Sequence, residues 1–557
     1  MPPQAAPAIN GHASAVTPPA KRLADFLQPL RIDGVLVHKL AQDLSEVFVE
    51  LAAQSDDQFL PTPISQSILS RPVDDATSGP HLAIDIGGTN LRVAFVELAH
   101  HAPQDSEGEN AQDNQSLRRH LEHSWPIGDH LKNENAKGLF AWIGACIAEV
   151  VAKACDQQLA GIAAATELPL GVTFSFPMDQ ETLNTASLRQ MGKGFAITSR
   201  LDLGQHLLDG YESSRGELPR IRIAAITNDA VATLLSFMHQ FSASSASQAG
   251  TAATIQRRPV MGLICGTGCN ATVFMGLGGL KQSKRPKKVQ TLPGEGGGNS
   301  GDGQLSIAVN TEWSINGSAG PLRNNGLINR WDDMVSAAAE KPGFQPLEYM
   351  TAGLYLGEIG RLALVDYMTN VLGKNPKTFP EKLLRRFEPR NTTFLSHFSP
   401  SQDGDWSGLV DRLNDEFPTG GAQRPLEAIE NLPAAKFRWT EDMAQALYHI
   451  ARAIEFRAAG IIAASTVGLL KCSGALPSRD ELAVMSASEL HLGVGYTGGC
   501  ITNFQDYLQH CQELLDELVE REYGNETPRV RIVLEPCHDG GIDGAGILVP
   551  AAVASGI

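Results

Sequence analysis

The chain has 557 residues, too many for one ordinary hydrophobic core, so two large lobes are expected. At 42% hydrophobic and 19% charged residues it has the composition of a globular protein. A formal net charge of −17 argues against direct nucleic-acid binding, although local amides and a metal can still manage the phosphates of a nucleotide. Residues 1–22 are rich in Pro and Ala and read as a disordered tail. Leu27 to Leu51 carries helical apolar spacing, interrupted around Asp33-Gly34. Leu82 to Leu98, LAIDIGGTNLRVAFVEL, reads as two strands joined by a glycine turn at Gly87-Gly88-Thr89-Asn90. Glycine there permits positive φ and leaves backbone amides uncovered, a concavity suited to anions, with Thr89 and Asn90 as short donors. Asp85 closes the first strand, where its carboxylate repels phosphate unless Mg²⁺, through water, lies between them.

Residues 101–116 form a polar loop, and a strand from Leu117 leads to a helix over 136–154. PLGVTFSFP is a buried strand ended by Pro177. The strand Arg220–Thr227 delivers Asn228-Asp229 at its C-terminal edge, where ligands of α/β proteins gather. A helix follows at once, and from the pair alone a helix-capping role for Asp229 is the plainer one. Residues 242–257 are of low complexity and read as a flexible insertion. Val260 to Met275 then repeats the earlier grammar of strand, Gly266-Thr267-Gly268, strand, and suggests a duplicated architecture with one phosphate-facing hairpin in each half. The basic run Lys281–Lys288 reads as a solvated hairpin tip rather than a nuclear import signal. GEGGGNSGDG at 294–303 lacks the Lys-Ser/Thr of a phosphate loop and reads as a mobile connection. Residues 442–471 form a long apolar helix, and the end of the chain is strand, turn, helix, strand, helix. The eight cysteines have neither metal-type nor disulfide-dense spacing, so reduced thiols in the cytoplasm are expected. No apolar run long enough to span a bilayer and no signal-type segment is expected.

The two hairpins, with GVTFSFP, GKGF and ITNDA between them, resemble the hexokinase family of ATP-dependent sugar kinases from about residue 23 to the C-terminus. The resemblance implies an α/β, duplicated actin-like (ribonuclease H-like) fold with two lobes and a cleft. The expected halves are 23–240 and 258–557, with residues 241–257 inserted between them. It implies Asp229 as catalytic base and Lys193 as the cation on the transferred group. Ser175, Asn228, Asn270, Glu312, Gln345 and Glu348 then match sugar-contacting positions. On the nucleotide side it implies Asp85, Gly87, Gly88, Thr89, Asn90 and Arg92, then Gly266, Thr267 and Gly268, and finally Thr497, Gly498 and Gly499. ATP with Mg²⁺, the metal near Asp85 through water, is the implied cofactor set. A hexose or amino sugar is the implied partner, with the chain a monomer or homodimer in the cytoplasm.

Departures from the family's pattern are also present. Gly192 stands where Thr is usual before Lys193, Thr497-Gly498-Gly499 replaces Asp-Gly-Ser, and Gly541-Ile542-Asp543-Gly544-Ala545 replaces a run containing Lys. Together with GYTGGCITNFQDYL and SWPIGDHLK, they are most similar to fungal N-acetylglucosamine kinases, with Gly192 as the candidate for space beside C2. A glucose or broad-range hexokinase and a catalytically weak sugar sensor are the alternatives.

Overall fold

The computed structural model describes residues 19–67, 79–98, 117–159, 161–189, 195–197, 200–247, 255–290, 305–386, 392–400, 404–418, 437–524 and 528–556. Residues 1–18 of the expected tail, the 101–116 loop and the 294–303 loop lie outside these residues, whereas residues 19–22, expected to be disordered, belong to the helix Pro19–Phe26.

The strands are β1 (Leu60–Ser65), β2 (Pro80–Ile86), β3 (Asn90–Leu98), β4 (Leu117–Pro126), β5 (Glu167–Phe174), β6 (Met178–Thr182) and β7 (Thr185–Leu188). They continue with β8 (Leu201–Asp202), β9 (Arg220–Thr227), β10 (Ile255–Cys265), β11 (Cys269–Gly276), β12 (Ser306–Asn310), β13 (Glu489–Thr497) and β14 (Arg529–Pro536). One sheet has the order β4-β3-β2-β5-β9, another β1-β12-β11-β10-β13-β14, and β6-β7-β8 form a small third sheet.

The duplication read from two hairpins extends to whole sheets. In the first, β4/β3 and β3/β2 pair antiparallel, while β2/β5 and β5/β9 pair parallel. In the second, β12/β11 and β11/β10 are antiparallel, and β10/β13 and β13/β14 parallel, with β1 added at one edge. Parallel neighbours need long crossovers, which is where the helices fall. Ala136–Asp156 and Leu203–Glu212 serve the first sheet, and Glu441–Ser473 and Tyr507–Tyr523 the second.

The last strand of each sheet launches a helix that packs on the other sheet. Asp229–Ser247, after β9, lies against β10, β11 and β13, whereas Gly540–Ala554, after β14, lies against β2, β3, β5 and β9. These two helices also pack on each other, giving the layers sheet, helix, helix, sheet. Small residues make the approach possible. A Cβ on Gly544 would stand 2.4 Å from the carbonyl oxygen of Ala232 in the facing helix, and one on Gly171 of β5 would stand 2.2 Å from Ala545 O.

The helix Glu441–Ser473 is the spine of the second lobe. With Ala136–Asp156 it is long and apolar enough to cross a bilayer, which corrects the expectation that no such run exists. Its most apolar window is 89% buried within the fold, and that of Ala136–Asp156 is 56% buried, so the apolar faces are covered by protein. Gly34–Gln54 packs along the spine and starts where the sequence pattern broke, because Asp33 Oδ1 accepts from Leu36 N at 2.8 Å and caps it.

Two connections differ from expectation. The helix begun at Asp229 runs to Ser247 and β10 starts at Ile255, so of the expected 242–257 insertion residues 248–254 alone lie outside the described residues. The basic run 281–288 is solvated only in part, with Lys287 and Lys288 exposed and Lys281 and Lys284 half-buried. Lys281 Nζ pairs with Asp56 at 2.5 Å and Lys287 Nζ with Glu181 at 2.6 Å. Lys284 Nζ donates to Gln58 O and Phe59 O at 2.6 and 3.0 Å, and burial pulls its pKa down to about 8. At Lys281 and Lys284, groups elsewhere in the fold stand where water alone was expected, whereas the Lys287–Glu181 pair stays exposed.

Candidate active site

The first hairpin sets one wall. β2 and β3 pair in register through Asp85↔Arg92, so the turn at 87–90 sits at the end of two central strands. Gly87 N donates to Asn90 O at 2.9 Å and Ile127 N to Thr89 O at 2.7 Å, which leaves Thr89 and Asn90 exposed at the tip. Positive φ is not what the glycines supply. Gly87, Gly266 and Gly268 all keep φ outside the left-handed region. What they provide is space: a Cβ on Gly268 would lie 2.8 Å from Glu348 Oε2.

Asp85 is less free than the sequence suggests. Arg92 donates to its Oδ2 through Nη2 at 2.7 Å and Nε at 3.2 Å. Burial pushes the Asp85 carboxyl up from its usual range, Arg92 opposes this, and the nearby charges of Asp229 and Asp539 add to the upward shift. Ser175 N donates to Ile86 O at 3.0 Å, bringing Ser175 beside the same hairpin.

Both crossed helices begin here. Asn228 is buried and its Oδ1 accepts from Ala230 N at 2.9 Å, so Asn228 shares the helix-start amide with Asp229. Asp229 Oδ1 also accepts from Ala230 N, at 2.8 Å, and its carboxyl is half-buried at the helix start. At the corresponding place in the second half, Asp539 precedes the helix Gly540–Ala554. The start of that helix is wedged against the first hairpin. A Cβ on Gly541 would stand 2.5 Å from Asp85 Oδ2, and Gly541 O accepts from Thr173 Oγ1 at 2.8 Å.

A second group surrounds the other hairpin. Asn270 Nδ2 donates to Asn310 Oδ1 at 2.8 Å and to Glu312 Oε1 at 3.3 Å, and Asn310 Nδ2 donates to the same Glu312 oxygen at 2.9 Å. Glu312 holds φ at 46°, a left-handed conformation uncommon for a residue with a side chain, so the backbone is held there by its surroundings. Cys269 N donates to Glu348 Oε2 at 3.0 Å, and Gln345 precedes the helix Pro346–Thr351 that carries Glu348. The Thr497-Gly498-Gly499 turn abuts this hairpin. Gly498 takes φ 123°, and a Cβ on it would meet Cys265 C at 2.4 Å. Gly266 and Thr267 carbonyls accept from Gly353 N and Leu354 N. Gly192 and Lys193 lie outside the described residues.

Asn310, Arg119, Asp539 and Asp543 were not singled out as site residues by the sequence pattern. Asn310 ends the apolar strand SIAVN two residues before Glu312, and Asp539 follows β14 much as Asp229 follows β9, so both had a readable signal. Arg119 looks like any charge on an edge strand and had none.

The donor set suits phosphates escorted by a divalent cation. Asp85, Asp229, Asp539 and Asp543 converge with two guanidiniums, Arg92 and Arg119, so a bare polyanion would meet carboxyl groups as well as cations. Among the described residues no three His, Cys, Asp or Glu side chains form a metal cage, so the protein supplies at most part of a cation's coordination there.

Two family profiles, both described as hexokinase, match residues 22–239 and 260–551. A hexokinase of Kluyveromyces lactis is 28% identical over 294 residues, 52% of this chain and 50% of that protein. Glucokinase-1 of Saccharomyces cerevisiae is 26% identical over 407 residues, 72% of each chain. The first curated relatives are matched over half of their length or less. A solved structure of a hexokinase from Schistosoma mansoni complexed with glucose superposes with a TM-score of 0.68 at 19% identity, covering 96% of this chain and all of that one, which establishes the shared fold.

Proposed function

The chain belongs to the hexokinase family, and from that premise we propose that it transfers the terminal phosphoryl group of ATP to the 6-hydroxyl of a hexose. The observation that carries the proposal is the placement of Asp229. Its carboxylate stands at a strand end, on a helix start, beside the half-buried carboxyl of Asp85 and next to Asn228, which shares its backbone contact.

In this reading Asp229 accepts the proton of the 6-hydroxyl as the oxygen attacks in line. With Oδ1 on Ala230 N, the Asp229 carboxylate keeps Oδ2 for the sugar. Asn270, Asn310 and Glu312 offer a pre-ordered set of amide and carboxylate groups to the remaining hydroxyls. Mg²⁺ entering with ATP would neutralise charge on the phosphates, near the first hairpin and Asp85.

Glucose is the favoured hexose, since the relatives found are named hexokinases and glucokinases. N-acetylglucosamine is the second reading, and it rests on Gly192 in place of the usual Thr. An ATP-coupled assay with the full chain over glucose, mannose, fructose and N-acetylglucosamine tests both. Glucose turnover above that of the amino sugar supports the first reading and the reverse order the second. Binding of sugar without turnover of any would leave a sensor.

A further inference from the structure

The edge strand β4 contributes a side chain to the nucleotide side of the site that no pattern in the sequence places there. Arg119 Nη1 lies 2.7 Å from Asp539 Oδ2, and its Nε lies 3.5 Å from Asp543 Oδ1. Glu122, on the same strand, stands 3.1 Å from Arg119 Nη1. The other oxygen of Asp539, Oδ1, is taken by Arg92 Nη1 at 2.5 Å, and Arg92 holds Asp85 with its remaining donors. The contacts run Arg119, Asp539, Arg92, Asp85, and Asp229 is near enough to Asp85 to act on its charge.

Two features show that this arrangement is held rather than incidental. Asp539 sits at φ 56°, a left-handed conformation that is uncommon for a residue with a side chain. Asp543 has a side chain only 6% exposed, and its Oδ1 makes no hydrogen bond. Burial pushes the Asp543 pKa up to about 7 and Arg119 pulls against this, so the charge on this carboxyl depends on that cation.

We propose that Arg119 is a positioning residue for nucleotide binding: by holding Asp539 and Asp543 it keeps Arg92 on Asp85 and the start of the helix Gly540–Ala554 in place against the first hairpin. Without Arg119, three carboxylates compete for one guanidinium. Arg92 is drawn towards Asp539 and Asp543, and Asp85 loses its partner beside the candidate base. The inference rests on the reading of this hairpin as the nucleotide side.

The test uses the full chain with Arg119→Gln, Arg119→Lys, Asp543→Asn and the double variant Arg119→Gln/Asp543→Asn. Affinity for ADP with Mg²⁺ is measured by calorimetry without sugar, and KM for ATP and for hexose by steady-state assay. Arg119→Gln should weaken ADP binding and raise KM for ATP by about 10-fold to 100-fold, the scale of a small misplacement of binding groups, with KM for hexose little changed. Arg119→Lys should restore part of the loss. Asp543→Asn should suppress most of it, because it removes a carboxylate that competes for Arg92. If Arg119→Gln costs as much in the presence of Asp543→Asn as in its absence, the proposal is overturned, as it is by a matching rise in KM for hexose. Unchanged ADP affinity in Arg119→Gln, or a wild-type chain that binds no ADP, overturns it as well. Wild-type binding of ADP with no turnover of any hexose ends the kinase reading alone, and calorimetry still decides the role of Arg119.

Discussion

Asp85 and Arg92 are direct cross-strand partners in the first hairpin, and the guanidinium covers Asp85 Oδ2 with two donors at 2.7 and 3.2 Å. The carboxylate that sequence reading set aside for a metal is therefore already neutralised in part by its own hairpin. Arg92→Ala should leave the half-buried Asp85 carboxylate unpaired, against a typical cost of about 3–5 kcal/mol when a fully buried pair loses one partner. With Asp85 partly exposed the loss should fall at or below the low end of that range. Thermal unfolding of Arg92→Ala beside Arg92→Ala/Asp85→Asn checks this, since the double variant should recover much of the loss.

Asp229→Asn keeps the size of the side chain and loses its basicity. Turnover should fall by about 10²-fold to 10⁴-fold with sugar affinity nearly unchanged. Steady-state kinetics with equilibrium sugar binding separates the two, and near-wild-type turnover would return Asp229 to a purely structural place at the helix start.

Asn310→Ala removes one partner from Asn270 and one from Glu312. Leaving such groups unsatisfied costs about 1–3 kcal/mol each, so kcat/KM for hexose should fall by on the order of 10-fold or more. KM for ATP should stay near its original value. A fall in ATP affinity of the same size would place Asn310 outside the sugar group.

Glu455 is fully buried between the helices Glu441–Ser473 and Tyr507–Tyr523, with His510 Nδ1 at 2.8 Å from Oε1 and Oε2 without a partner. Burial raises its pKa from 4.5 to about 7, opposed by His510 and Arg452, with Asp506 adding to the rise. The folded state therefore holds a proton that the unfolded state releases, and this contribution is full below pH 4.5 and lost as pH rises through 7. Glu455→Gln should flatten that part of the stability profile and gain on wild type as pH rises. Urea unfolding from pH 5 to pH 8 measures the difference, and parallel profiles would remove Glu455 as its source.

The two crossed helices should tolerate nothing larger than glycine at position 544. Gly544→Ala puts a methyl 2.4 Å from a backbone oxygen, and overpacking of this kind costs about 1–3 kcal/mol. Gly408→Ala, with nothing within 4 Å of the new Cβ, should be neutral or slightly stabilising. Melting temperatures of the two variants make the comparison.

The sequence alone determined the hairpins, the strand that presents Asn228-Asp229, the long spine helix and the duplication, because each is written in local period, turn chemistry and repeated grammar. It also carried the family through motif order. Tertiary structure decided which groups meet. Arg119 stands 420 residues before Asp539 in the chain, and nothing in an edge strand's alternation says which distant carboxylate it will face. The same holds for Lys284, whose partners at Gln58 and Phe59 tie one ammonium of a partly exposed charge run to the fold. The sharing of the Ala230 amide by Asn228 and Asp229 at the helix start was also invisible, because only the folded backbone settles which side chains reach it. Local elements follow from near neighbours in sequence, whereas charge pairing and close helix approach depend on contacts across hundreds of residues, which only the closed fold creates.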